Sequence, residues 1–190
     1  IAISDFTEFE EILEGRVKTL HPKIHAGILA KNQSSLSNLK KLDYFLIDMV
    51  IVNLYPFENT ISKKNCTFEN AIENIDIGGP TMLRAAAKNH QRVTVVTEPD
   101  DYDKIINELK ISHKVSSQTR LELAKKVFKK ISAYDAKIFE YLDNKDSTLK
   151  NNFPEILDIR LNKKNQLRYG ENPHQKSAIY KIQNSKISGF

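Results

Sequence analysis

Met49-Val-Ile-Val-Asn-Leu-Tyr55 is a continuous apolar, largely β-branched run of strand length, and Pro56 stops it. Proline keeps the residue before it out of helical backbone and cannot donate to a ladder. A run without polar alternation predicts a strand buried on both faces, and such strands belong to parallel sheets sandwiched by helices. Arg92-Val-Thr-Val-Val-Thr97 predicts a second buried strand of the same kind.

Outward from these strands the periodicity turns helical. Phe6 to Leu13 predicts a short amphipathic helix ending at Gly15, and Lys31 to Leu42 carries Leu36, Leu39 and Leu42 at helical spacing. Thr67 caps a predicted helix to Asn74. Gly78-Gly79-Pro80 opens another to about Asn89, with Pro80 at the first helical position. Asp100 to Leu109 and Ser117 to Leu142 follow, the latter with Leu121, Ala124, Val127, Phe128, Ile131, Tyr134 and Ile138 as its stripe. Helices alternating with strands predict an α/β fold with a parallel sheet flanked by helices. Asn144 to Asn152 is polar and aperiodic, Leu167 to Gln175 is turn-rich, and Ala178-Ile-Tyr-Lys-Ile is strand-like.

With 190 residues and 40% hydrophobic content, the chain can bury a real core. It has 29 Lys and Arg against 24 Asp and Glu, for a net charge of +5. The basic residues are spread out or paired rather than gathered in a polybasic arm. That pattern describes a solvated surface better than a nucleic-acid interface. No run of eighteen apolar residues or signal-like segment is seen, so a soluble, unexported protein is expected. Cys66 is the single cysteine, which excludes an intrachain disulfide and fits a reducing compartment.

Several residues carry chemistry better than packing. In an extended segment Arg16 and Lys18 point the same way with Thr19 opposite, a possible anion clamp or plain surface cations. His21 and His25 have helical metal-ligand spacing but no obvious third ligand, so no metal site is expected. Asn53 and Tyr55 end a parallel strand, where open α/β folds bind ligands. Asp76, Gly78 and Gly79 precede a helix whose free N–H groups face an anion or polarised oxygen; a tight turn explains them about as well. Lys88 lies about 12 Å along that helix from Pro80, so Asp76 and Lys88 meet only if the preceding loop folds back.

Taken together, Glu14-Gly-Arg-Val-Lys-Thr-Leu-His-Pro22, His25-Ala-Gly-Ile-Leu-Ala30, Asn53-Leu-Tyr-Pro-Phe57, Glu73-Asn-Ile-Asp-Ile-Gly-Gly-Pro-Thr-Met-Leu-Arg-Ala-Ala-Ala-Lys-Asn-His90, Val93-Thr-Val-Val96 and Leu167-Arg-Tyr-Gly-Glu-Asn-Pro-His-Gln175 resemble a known family. It is the bifunctional purine-biosynthesis family of formyltransferase and IMP cyclohydrolase enzymes. The resemblance implies a methylglyoxal-synthase-like fold and ring closure of 5-formamidoimidazole-4-carboxamide ribotide to IMP with loss of water. It assigns proton transfer to Lys88, the neighbouring carboxylate to Asp76, and stabilisation or orientation of the reacting amide and formyl groups to Lys18 and Tyr55. Arg16, Thr19, Asn53, Ile77 and Gly78 would contact the nucleotide; Arg168 and Tyr169 would touch the aminoimidazole ribotide of the formyltransferase half. Ring closure would need no cofactor or metal, and formyl transfer would use 10-formyltetrahydrofolate. A cytoplasmic homodimer acting on a small nucleotide, with neither nucleic acid nor membrane as partner, is implied.

The same resemblance implies residues 1–145 as a cyclohydrolase domain without the family's N-terminal phosphate-holding loops, 146–165 as a linker, and 166–190 as the start of the formyltransferase domain. This stretch by itself would then bind nucleotide poorly, and the catalytic Lys and His of formyl transfer would lie beyond Phe190. The rival expectation is a non-catalytic methylglyoxal-synthase-like module that senses a phosphorylated effector. A sensor needs an anion clamp but no proton shuttle.

Overall fold

The computed structural model describes residues 1–145, 159 and 161–182, and the chain forms two units, Ile1–Lys145 and Asp146–Phe190. At the centre of the first lie β1 (Met49–Ile51) and β2 (Thr94–Val96), parallel and in the register Met49↔Thr94, Val50↔Val95, Ile51↔Val96. The ladder is extended by Thr94 N–H to the Asp48 carbonyl and Val52 N–H to the Val96 carbonyl, both 2.9 Å. As expected of a strand covered on both faces, β2 is buried throughout. β1 corrects its expectation: the strand itself ends at Ile51, which is 53% exposed. Among the described residues β1 pairs on one side only, so part of its apolar run faces solvent.

Helices α2 (Pro22–Leu29), α6 (Gly78–Lys88) and α8 (Ser117–Asp143) build the core around this pair, α6 packing against α2, α8 and both strands. Leu83, Ala86, Val93, Val95, Val96 and Val127 are wholly buried. Ala85, Ala86 and Ala87 give α6 a buried face without bulk, which lets neighbouring backbones approach. Fully burying each large side chain, such as Leu83 or Val127, contributes about 1.5–3 kcal/mol. The last carbonyls of α2 lack helical partners and are met from the segment after α6. Asn89 Nδ2 donates to the Ile28 and Ala30 carbonyls at 2.7 and 3.0 Å. The Arg92 guanidinium donates to Gly27, Ile28 and Ala30 carbonyls and to Asp48. Asn89 and Arg92 therefore hold α2 against the sheet.

The caps follow the local sequence. Thr67 accepts Asn70 N–H at 3.1 Å to start α5 (Phe68–Glu73), and Asn32 accepts Ser35 N–H at 3.0 Å to start α3 (Gln33–Lys41). His21 Nδ1 accepts Lys23 N–H at 3.1 Å, with Pro22 at the first helical position of α2. The expected helix over Phe6 to Leu13 does not form. Helix α1 is Ile3–Thr7, after which Glu8 takes a left-handed φ of 57° and its carboxylate reaches Lys23 Nζ at 2.8 Å. Lys23 is 8% exposed between Phe6 and Tyr44, so pairing this cation outweighs continuing a short helix. Two further helices, α4 (Phe57–Ile61) and α7 (Tyr102–Ser112), are exposed or half-buried apart from Phe57 and Ile105, which they bury. No helix among the described residues is long and apolar enough to cross a membrane.

In the second unit β3 (Leu161–Gln166) and β4 (Ala178–Ile182) form an antiparallel hairpin with a register shift between Lys163 and Asn165. Leu161 to Asn165, expected within the linker, are thus strand, because they pair across the hairpin. The rest of the expected linker, residues 146–158 and 160, lies outside the described residues, as do residues 183–190.

Candidate active site

The start of α6 is organised by one carboxylate. Asp76 Oδ1 accepts Gly79 N–H at 2.8 Å and Oδ2 lies 3.4 Å from Tyr55 N–H, joining the exit of β1 to the turn before α6. Gly79 is required here, since a Cβ on it would overlap all three atoms of the Asp76 carboxyl group. A Cβ on Gly78 would overlap Thr19 Oγ1, so Thr19 lies directly on the Gly78 backbone. Asp76 is half-buried, while Ile77 stands exposed beside it.

Around this turn the predicted residues gather from three segments. Ile12 and Val17 form an antiparallel bridge over Leu13–Gly15, and that hairpin presents Arg16, Lys18 and Thr19. The Lys18 ammonium pairs with Glu11 at 2.6 Å, and that hydrogen bond holds its pKa above the ordinary lysine value, with a smaller contribution from nearby Tyr55. Arg16 instead makes a two-pronged pair with Glu73, the last residue of α5. The expected open clamp of two cations is therefore corrected. Each cation already holds a carboxylate, because the antiparallel Ile12–Val17 bridge sets Lys18 across the hairpin from Glu11, while Arg16 reaches towards α5. Both pairs are exposed, so they hold the cations weakly and a bound anion can compete for them.

The remaining predicted residues stand apart from this turn. Asn53 Nδ2 lies 3.5 Å from the Tyr102 hydroxyl at the start of α7. Lys88 lies at the far end of α6, a helix of 11 residues and so about 16 Å long, in a surface groove with Leu29, Arg84, Ala85 and Phe128. Asp76 turns towards Gly79 and Tyr55 rather than folding back along α6, so the structure does not bring Lys88 to it. Ile77, Thr81, Arg84 and Lys88 do form one exposed stripe along the helix. Arg168 and Tyr169 lie on the β3–β4 connection of the second unit, both exposed. Among the described residues no group of three or more His, Cys, Asp or Glu could hold a metal.

Two further groups matter, Tyr134, expected in a packing stripe, and His25, expected only as half of a histidine pair without a third metal ligand. Tyr134 of α8 accepts Asp76 N–H at 2.9 Å. His25 packs beside the hairpin with a hydrogen bond to the Thr19 backbone, its Nε2 buried and unpartnered. Burial pushes the His25 imidazole below its ordinary value of 6.5, and the Thr19 bond only partly opposes this. The unfolded chain then binds the proton more readily, so stability is level above that ordinary value and falls as pH drops below it. Melting temperatures across pH 4–8 are expected to lose this slope in His25→Gln; an unchanged slope would assign it to another group.

Residues 86–190 match the family described as "AICARFT/IMPCHase bienzyme", and residues 1–81 match "MGS-like domain". The chain belongs to the AICARFT/IMPCHase bienzyme family. The bifunctional purine biosynthesis protein PurH of Bacillus cytotoxicus is 52% identical over 183 residues, 95% of this chain and 35% of that protein. PurH of Caldicellulosiruptor bescii is 54% identical over 186 residues, 96% of this chain and 36% of that protein. The chain thus spans about a third of the length of these curated bienzyme relatives. A solved structure described as the crystal structure of ForH is 35% identical with a TM-score of 0.62, each chain covering 73% of the other. The α/β arrangement of the first unit is the MGS-like fold of this bienzyme family.

Proposed function

We propose that residues 1–145 carry the IMP cyclohydrolase chemistry of a bifunctional purine-biosynthesis enzyme, and that 166–190 open its formyltransferase domain. The observation that carries this is the convergence of Thr19, Tyr55 and Asp76 on the glycine turn that starts α6, with Lys18 next to Thr19 in the chain. Ring closure requires that the carboxamide nitrogen attack the formyl carbon, forming a C–N bond while the formyl oxygen becomes an oxyanion. That oxygen takes up two protons, one given up by each of the two nitrogens on the former formyl carbon, and water leaves as the C=N bond forms. The Lys18 ammonium is suited to the developing oxyanion and the Tyr55 side chain to orienting the amide; Asp76 offers the carboxylate. Thr19, Gly78 and Ile77 supply a surface close enough to backbone for a nucleotide, with Arg16 and Asn53 at its margins.

Family resemblance gives proton transfer to Lys88. With Lys88 and Asp76 at opposite ends of α6, that role needs a substrate lying along the exposed stripe of Ile77, Thr81, Arg84 and Lys88. In the full-length enzyme Lys88→Ala is expected to lower kcat of ring closure by about 10²-fold with little change in KM. The assay follows IMP formation from the formamido ribotide; unchanged turnover would remove Lys88 from the chemistry. Membership of the bienzyme family also supports a full-length cytoplasmic homodimer that formylates the aminoimidazole carboxamide ribotide with 10-formyltetrahydrofolate, through a site including Arg168 and Tyr169. Neither activity calls for a metal among these residues.

A further inference from the structure

We propose that Tyr134 is a positioning residue for ring closure, holding Asp76 and Tyr55 in one geometry through its hydroxyl. The proposal rests on the cyclohydrolase reading above. Tyr134 Oη accepts Asp76 N–H at 2.9 Å and lies 3.5 Å from the Asn74 carbonyl, to which it can donate. A side chain from α8 thus fills the turn Asn74-Ile75-Asp76, meeting an N–H at one end and a carbonyl at the other. The ring is held as well: Phe57, 1% exposed, meets it edge-on at 6.2 Å and 69°.

Phe57 closes a circuit. Its N–H donates to the Tyr55 carbonyl at 2.8 Å, and Tyr55 N–H faces Asp76 Oδ2 at 3.4 Å. Tyr134 therefore touches the Asp76 turn through its hydroxyl and the Tyr55 segment through Phe57, while Asp76 and Tyr55 touch each other. Two residues of the site, separated in sequence, are referenced to one side chain on the longest helix. Burial raises the Tyr134 phenol above its ordinary value, the hydrogen bond from Asp76 N–H only partly opposes this and the Asp76 charge adds to it, so the hydroxyl keeps its proton in neutral solution. An aromatic hydroxyl in a packing stripe is costly unless partnered, and here its partner is the site.

The test compares Tyr134→Phe with Tyr141→Phe in the full-length enzyme. Both rings lie against Phe57, Tyr141 at 5.7 Å and 90°, but only Tyr134 bonds Asp76. Tyr134→Phe is expected to lower kcat about 10- to 100-fold with KM nearly unchanged, and to speed hydrogen exchange at the Asp76 amide. Tyr141→Phe should leave both near wild type. Asp76→Asn is assayed alongside. If Asp76→Asn is impaired while Tyr134→Phe turns over like wild type, or both Phe variants behave alike, the positioning role is overturned and the cyclohydrolase reading stands. Full activity of Asp76→Asn overturns the site reading and the positioning role with it.

Discussion

Lys18→Ala is expected to reduce the turnover of ring closure by about 10²–10³-fold in the full-length enzyme, with KM changed only a few-fold. The lysine stands on a hairpin closed by the Ile12–Val17 bridge, which fixes its backbone while leaving its ammonium exposed and within electrostatic reach of Tyr55. Its partner Glu11 is exposed too, so the pair can open when an oxyanion develops nearby. A charge that meets the oxygen only as negative charge appears contributes to kcat rather than to ground-state binding. Arg16→Ala should behave differently, raising KM with kcat largely retained, because Arg16 is directed to Glu73 at the margin of the site. Steady-state kinetics of both variants, with circular dichroism to verify folding, separates the roles. A Lys18→Ala enzyme with normal kcat and raised KM would make Lys18 an anchor and not a participant.

Gly79→Ala is expected to be as damaging for a different reason. A methyl group at this position overlaps the Asp76 carboxyl group itself, and Gly79 is buried within the helix start, so it is the Asp76 side chain that must move. Relieving the overlap requires Asp76 to abandon its 2.8 Å bond from Gly79 N–H and its approach to Tyr55 N–H. Overpacking of this kind costs about 1–3 kcal/mol of stability. Displacing a reacting group by about 1 Å can cost 10²-fold in rate. Gly78→Ala should be milder, since its methyl meets the Thr19 side chain, which can rotate away. Denaturant unfolding and turnover of the two variants check this order; a Gly79→Ala protein with normal stability and kcat would show that Asp76 is not held as described.

Much of this was legible from residues alone, for reasons that differ by element. Val93 to Val96 announced a buried strand because an unbroken β-branched run has no polar face to give to solvent, and β2 is buried throughout. Thr67 announced its cap because the hydroxyl satisfies a helix N–H locally, whatever surrounds it. Less visible were features depending on distant partners. Ile51 faces solvent despite its run because covering a strand is decided by what packs on it. The helix expected to Leu13 stops at Thr7 because Lys23, distant in sequence, must be paired. Arg16 and Lys18 share a face in an extended chain, yet a hairpin and α5 give them separate carboxylates.

By itself the sequence determined the family, the α/β class, the Thr67 cap and the residue types of the site, since these follow from motifs, periodicity and local hydrogen bonding. Tertiary structure decided which of those residues meet. It placed Thr19 on Gly78, Asp76 between Tyr55 and Gly79, and Tyr134 behind them, and it set Lys88 at the other end of α6. The physical reason is that hydrogen-bond geometry and close packing act between segments far apart in the chain, whereas a motif records only order along it.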